Sequence, residues 1–419
     1  MLKTTLRLFL PVFLLLAAPL VSGAPRIQHW TTDNGLRVYF VEARELPMLD
    51  LRLVFNAGSA RDGELAGVAR LTSGLLNDGA GEWDADTIAN RFESVGAQFG
   101  SGALRDMAWV NLRTLTSDAD WLETALTTYV TVVGAPNFPQ RDLDRALRNT
   151  RVALQGRMQD PGEIAQTRFL ETLYAGHPYA SDPLGTEQSL AAIRREDLQA
   201  FHARHYVARN GVLALVGDLD RAGAERIAAR IAAVLAEGQP APALPTPPAR
   251  GEAATLRIEF PSEQSHVLIG QPAIARGDAD YFPLYVGNHV LGGSGLTSRL
   301  FDEVRNRRGL AYSVYSYFLP MAAPGPFMMG VQTQGAQAEE AITVMRDLLR
   351  DYIDKGPTEA ELAASKRNIT GGFPLRTASN SDIVEQLGMI GFYDLPLDWL
   401  DRFSERVEAV TVDDVREAF

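Results

Sequence analysis

The chain has 419 residues, with 40 Lys and Arg against 52 Asp and Glu, a formal charge of −12, and no cysteine. That acidic balance argues against nucleic acid or an anionic membrane surface as a partner, and the missing thiols leave neither a disulfide framework nor a lipoprotein attachment site. The length exceeds what one core organises, so two or more domains are expected.

Residues 1–24 read as a secretory signal: Lys3 and Arg7 precede the apolar run Leu8 to Ala18, and the small residues Val21, Ser22, Gly23 and Ala24 follow. The run is short for a span of ~20 residues, so export to a bacterial periplasm is expected, with no stable membrane insertion once the signal is cleaved. Without Lys3 and Arg7 the charge of −12 becomes −14.

The first half, 25–235, shows strand patterns at "LRVYFVEA" and "LDLRLVFNAGS", a helix from about Gly67, a helix "ADTIANRFESVG", a strand "MAWVNLRTL", a helix from Asp118 to Val133 and another from Pro139. "REDLQAFHARHY" then leads into the strand "NGVLALVGDLD". Between 236 and 254, Pro240, Pro242, Pro245, Pro247 and Pro248 rule out a helix or central strand, and the segment reads as a linker. The second half, 255–419, repeats the order: "SHVLIGQPAI", a helix from Tyr281 to Leu291, "SRLFDEVRNRRG", "AYSVYSYFLP", "PFMMGVQTQ", then helices from Gln337 and Thr358. The prediction is α+β, as two homologous domains of mixed sheets flanked by helices. The counterpart of "REDLQAFHARHY" is "VDDVREAF", where the chain stops at Phe419, so the second domain is expected to be truncated at its C-terminus and to lack a last strand.

Several motifs in order, "NAGSARDGELAGVA", "HPYASDPLGTEQSL", "ARNGVLALVGDLD" and "SGLTSRLFDEVRNRRGLAYSVYSYF", resemble the pitrilysin/insulinase-type zinc peptidases, including bacterial two-subunit peptidases and the mitochondrial processing peptidase. The resemblance covers nearly the whole chain after the signal and implies a clam-like arrangement of the two domains. Active members carry an inverted zinc motif, H-x-x-E-H, in which two His on one helix face hold the ion and the Glu polarises water. On this chain the motif falls on Arg70, Leu71, Thr72, Ser73 and Gly74, and the third-ligand position, a Glu in the family, falls at or near Gly156. A guanidinium has no lone pair to give, glycine has no side chain, and serine is a poor base. No zinc or other cofactor is therefore expected in this chain.

Two other chemistries have candidate residues in the sequence. His202 and His205 are three apart on the helix "REDLQAFHARHY" and could chelate, but no carboxylate completes a site, so packed or exposed histidines are the expectation. A serine mechanism at Thr72 and Ser73 has only Arg70 as its nearest charged neighbour and no base. "LGGSGLTSRL" lacks the Lys and the spacing of a phosphate loop, and reads as a turn before a helix capped by Thr297 or Ser298.

The second half keeps another part. Arg305 and Tyr312 stand where the family shows an Arg and a Tyr that reach substrate, with Arg305 on a helix stopped by Gly309 and Tyr312 opening a strand. Such donors can stabilise the oxygen of a carbonyl under attack. The resemblance implies a non-zinc subunit that pairs with a zinc-bearing homologous subunit and binds a peptide substrate, added as a strand to a sheet edge. The rivals are a scaffold of the same fold without substrate contact, and an independent hydrolase indifferent to chelators. Solvent for Arg305 and the core for Tyr312 is the bland alternative.

Overall fold

The computed structural model describes residues 26–248 and 252–419. The signal segment and three linker residues, 249–251, lie outside them. In the first half β1 (Gln28–Thr31), β2 (Arg37–Glu42) and β3 (Met48–Phe55) lead to the short helix α1 (Val68–Gly74). A ribbon of β4 (Gly79–Ala80) and β5 (Trp83–Asp84) precedes α2 (Ala85–Glu93) and the hairpin of β6 (Gln98–Ala103) and β7 (Ala108–Leu115). Helices α3 (Ala119–Gly134), α4 (Gln140–Arg157), α5 (Pro161–Leu173), α6 (Glu187–Ala192) and α7 (Arg195–His205) follow, then β8 (Gly211–Gly217) and α8 (Arg221–Ala233). The second half comprises β9 (Gln264–Pro272), α9 (Tyr281–Asn288), β10 (Ala311–Phe318), β11 (Pro326–Gln334), α10 (Ala338–Lys355), α11 (Glu359–Gly372), α12 (Asn380–Phe392), α13 (Phe403–Ala409) and α14 (Val412–Ala418).

The first sheet runs β1-β2-β8-β3-β7-β6, antiparallel except for the parallel pair β2–β8, and is mixed as expected. All seven residues of β8 are buried, which suits the unbroken apolar run of a strand covered on both faces. Leu49, Leu51, Leu53 and Phe55 of β3 point to one face, where α1, α3, α7 and α8 complete the first core. Val54, with Tyr39, Val212 and Val216, points to the other face and joins a core made mainly by the second half.

Helix α12 closes that second face with Ile383, Val384, Leu387 and Ile390. The approach depends on glycine: a Cβ at Gly391 would lie 2.4 Å from Val212 and 2.6 Å from the Tyr39 ring. The two halves therefore share a core. The second sheet, β10-β11-β9, is antiparallel and lends Phe327, Met329 and Val331 to it.

Residues 236–248 have no helix or strand, as their prolines require, but they are strapped to the first half. Ala241 N donates to Asn210 Oδ1 at 2.8 Å, and His177 Nε2 lies 2.8 Å from the Pro245 carbonyl. A polar bolt joins the halves beside this strap. Buried Asp106 accepts from Tyr179 Oη at 2.6 Å, Tyr393 Oη at 3.0 Å and Ala322 N at 2.8 Å.

Candidate functional site

Helix α1 is held at its start by Asp62, which accepts from Gly67 N at 2.7 Å and Ala69 N at 2.9 Å. Burial pushes the Asp62 carboxyl up to about 7, against the lowering effect of those two bonds. The loop Asp182 to Gly185 abuts the same end. Asp182 Oδ1 accepts from Leu184 N at 2.9 Å, and a Cβ on Gly67 would meet the Leu184 carbonyl at 3.2 Å.

Five of the seven α1 residues, Val68, Ala69, Leu71, Thr72 and Ser73, are buried. Arg70 and Gly74, one turn apart, are the two that face out. The side chains offer a metal nothing there: a guanidinium, a bare backbone, and Ser73, whose hydroxyl is turned into the protein. Ser73 is wholly buried, and its carbonyl accepts from Ser101 Oγ of β6 at 2.7 Å. Gly156, exposed near the end of α4, adds no donor, and a Cβ at either Gly74 or Gly156 would meet nothing within 4 Å. No group of three or more His, Cys, Asp or Glu is placed to hold a metal among the described residues. The residues that the resemblance puts at the family's zinc positions do not fit the ion.

The histidine pair is not a chelate either. His202 Nε2 lies 2.9 Å from the Val133 carbonyl, with its ring stacked on Tyr206, whereas buried His205 packs on Phe201. Burial pushes both down to about 4 and keeps them neutral. Thr72 and Ser73 hydroxyls are buried without a hydrogen-bond partner and without a base.

Arg305 and Tyr312 are brought together. The expected helix is a π-helical segment, Phe301–Arg307, and Ser298 caps its start by accepting from Phe301 N at 3.3 Å. It ends at Gly309, whose φ of +64° marks the left-handed stop that sequence reasoning assigned to it. Tyr312 then falls in a register break of β10 between Ala311 and Ser313, an extra residue of the kind that re-aims a side chain. Tyr312 is 76% exposed, so it is not a core residue. The Arg305 guanidinium carbon sits 4.6 Å from the Phe301 ring centre and 5.3 Å from that of Tyr312, held between two aromatic faces.

Three arginines share this segment and its end, but they are not treated alike. Arg307 pairs with Asp302 at 2.9 Å, and Arg308 with Glu303 at 2.8 Å. The Arg305 side chain has neither a carboxylate nor a hydrogen-bond acceptor among the described residues. Its donors are positioned by aromatic contact and left available. The wide turn and the strand bulge were not legible beforehand; both are local irregularities that concentrate at functional sites.

Comparison with known proteins agrees with the sequence resemblance. The family pattern described as "Peptidase M16 inactive domain" matches residues 192–369. A crystal structure of a peptidase M16 inactive domain from Pseudomonas fluorescens is 44% identical, covers 94% of this chain and 93% of its own, and superposes with a TM-score of 0.90. An uncharacterized zinc protease of Mycobacterium bovis is 28% identical over 95% of this chain and 91% of its own length. A non-peptidase homolog of Helicobacter pylori is 26% identical over 91% of this chain and 87% of its own length. The chain belongs to the peptidase M16 family as a non-catalytic member.

Proposed function

We propose that the chain is the non-zinc subunit of a heterodimeric metallopeptidase of the periplasm, lending substrate contacts to a zinc-bearing homologous partner. The observation that carries this reading is Arg305, held between Phe301 and exposed Tyr312 while its neighbours Arg307 and Arg308 are tied to carboxylates. In the shared chamber a peptide lies extended along a sheet edge. Both β6 and β10 are paired on one side only among the described residues and can accept such a strand. As water attacks the scissile carbonyl at the partner's centre, the oxygen gains negative charge. The Tyr312 hydroxyl and the Arg305 N–H groups donate to it and fix the substrate backbone.

Relatives named as zinc protease and as non-peptidase homolog share this chain's length, which suits a division of labour between two similar subunits. A periplasmic protease of Escherichia coli shares the fold at a TM-score of 0.78 over 44% of its own chain, leaving room in that protein for two such units. The test is cleavage of a quenched fluorescent peptide by the chain co-expressed with a zinc-bearing homologue from the same host. Arg305→Ala and Tyr312→Phe are expected to lower kcat by roughly 100 to 1000-fold each, the scale of a lost oxyanion donor, with assembly unchanged. Unchanged cleavage would reduce the chain to a scaffold. Chelator-sensitive cleavage by the chain alone, with stoichiometric zinc, would overturn the proposal.

A further inference from the structure

The erased metal position is bordered by cations. Arg157 follows Gly156 directly and binds Asp182, Nη2 to Oδ2, at 2.5 Å. The other Asp182 oxygen accepts from Leu184 N at 2.9 Å, so this carboxylate is fully engaged. Arg70, at the first zinc position, is exposed and has no ion pair among the described residues.

Arg105 stands near that pair, at the tip of the β6–β7 hairpin. Its carbonyl is pinned by Ala60 N at 2.9 Å, and its Nε donates to the Tyr179 carbonyl at 3.2 Å. The two terminal amino groups make no hydrogen bond and no ion pair among the described residues. The side chain is half-buried. Burial is the main influence lowering its pKa; Asp182, Tyr174 and Tyr317 act the other way, and nearby Arg157 adds to the lowering. Half-buried terminal N–H groups without acceptors are costly, and a guanidinium held by its Nε is already oriented to receive an anion.

We infer that Arg105, with Arg157 beside it, forms a carboxylate-binding site that takes a free carboxylate of the bound peptide, from its C-terminus or from an Asp or Glu side chain. The inference rests on the peptide-binding role proposed above. A planar fork with two parallel N–H groups matches a carboxylate's two oxygens. The neighbouring Tyr317 also places the site along the proposed substrate path. It lies on β10 five residues beyond Tyr312, or about 16 Å at 3.2–3.4 Å per residue. A peptide running beside β10 thus presents a carboxylate to Arg105 about five residues from the bond that Tyr312 addresses.

The test uses the full chain and fluorescence anisotropy with three ten-residue peptides labelled at the N-terminus: an Ala/Val/Gly peptide ending in a free acid, its C-terminal amide, and that amide with Asp at the ninth position. The free acid is expected to bind at least about tenfold more tightly than the amide, the scale of one hydrogen bond to a charged group. Recovery by the Asp peptide would identify a side-chain carboxylate as sufficient, and failure to recover would confine the site to chain termini. Arg105→Gln is expected to equalise acid and amide, while Arg105→Lys keeps part of the difference. Arg305→Ala is expected to weaken all three peptides and leave their ratio intact. Equal affinity of the wild-type chain for acid and amide overturns the inference but leaves the peptide-binding role standing. Absence of binding by all three overturns both. The acid-to-amide ratio in the wild-type chain decides even where a variant folds poorly.

Discussion

Replacing Asp106 by Ala is expected to loosen the junction between the two halves more than any exposed ion-pair deletion would. The carboxylate is 3% exposed and gathers one hydroxyl from the first half, Tyr179, and two donors from the second, Tyr393 Oη and Ala322 N. Removing it orphans three donors, each costing about 1–3 kcal/mol when buried. Hydroxyl rotation and the relief of a buried charge offset part of that, leaving a net loss of roughly 3–5 kcal/mol. For a chain of this length melting as one unit, at about 2.1 cal/mol/K per residue, the loss lowers Tm by about 4–6 °C. Asp106→Asn keeps the shape but turns an N–H toward a donor, so its Tm should fall between wild type and the Ala variant. Tyr393→Phe, which removes one bond, should cost about 1 °C on the same scale. Scanning calorimetry on the full chain checks the series. If Asp106→Ala shifts Tm by no more than Arg350→Ala, which deletes an exposed pair with Asp347, the bolt is not a stabilising contact and the reasoning fails.

The pH dependence has a definite sign. His202 titrates at about 4 in the folded chain against 6.5 for a free imidazole, so the folded state excludes a proton that the unfolded state takes up. The resulting stability is complete above pH 6.5 and is lost as pH falls toward 4, up to about 3 kcal/mol. His205 is lowered in the same way, so the difference between urea midpoints at pH 7.5 and 5 should narrow in His202→Gln rather than vanish, and an unchanged difference would exclude His202 as a cause. Gly58→Ala places a Cβ 2.3 Å from the Arg105 carbonyl, and a shift of the β6–β7 tip costing roughly 1–3 kcal/mol is expected in a urea melt. The triple change Arg70→His, Gly74→His and Gly156→Glu is expected to bind one zinc ion by atomic absorption without gaining peptidase activity. Both glycines face open space, while the position of the catalytic Glu is held by buried Ser73. A triple variant that takes up no zinc would mean the mapped positions do not converge.

Periodicity made most of the fold readable in the sequence. In β7, "AWVNLRTL" alternates buried and half-buried residues along its whole length, and β8 is apolar throughout because both of its faces are covered. Strand β6 was missed for a physical reason. "QFGSGA" has no pattern of its own, and its Gly100 and Gly102 lie against the ring of Trp109 on β7, so the partner strand defines it. What the side chains of α1 can offer a metal was legible, because that depends on side-chain identity alone. The π-helical turn and the β10 bulge were not, because both depend on how the chain is accommodated against its neighbours. The shared core was equally hidden, since Gly388 and Gly391 of α12 look unremarkable until a second sheet face is laid against them.

Helix α1 shows why chemistry and fold can part company in this family. Its inward side, Val68, Ala69 and Leu71, belongs to the first core, and its start is fixed by Asp62 and the Asp182 loop. Those contacts do not involve Arg70 or Gly74, so both positions on its outer face can change without cost to packing. Arg305 presents the opposite case. It contributes no internal ion pair among the described residues, yet it sits between two rings on a π-helical turn, followed by a strand with an extra residue. Folding alone supplies no reason to keep an unpaired guanidinium against an exposed tyrosine there, whereas a subunit that meets substrate carbonyls supplies one.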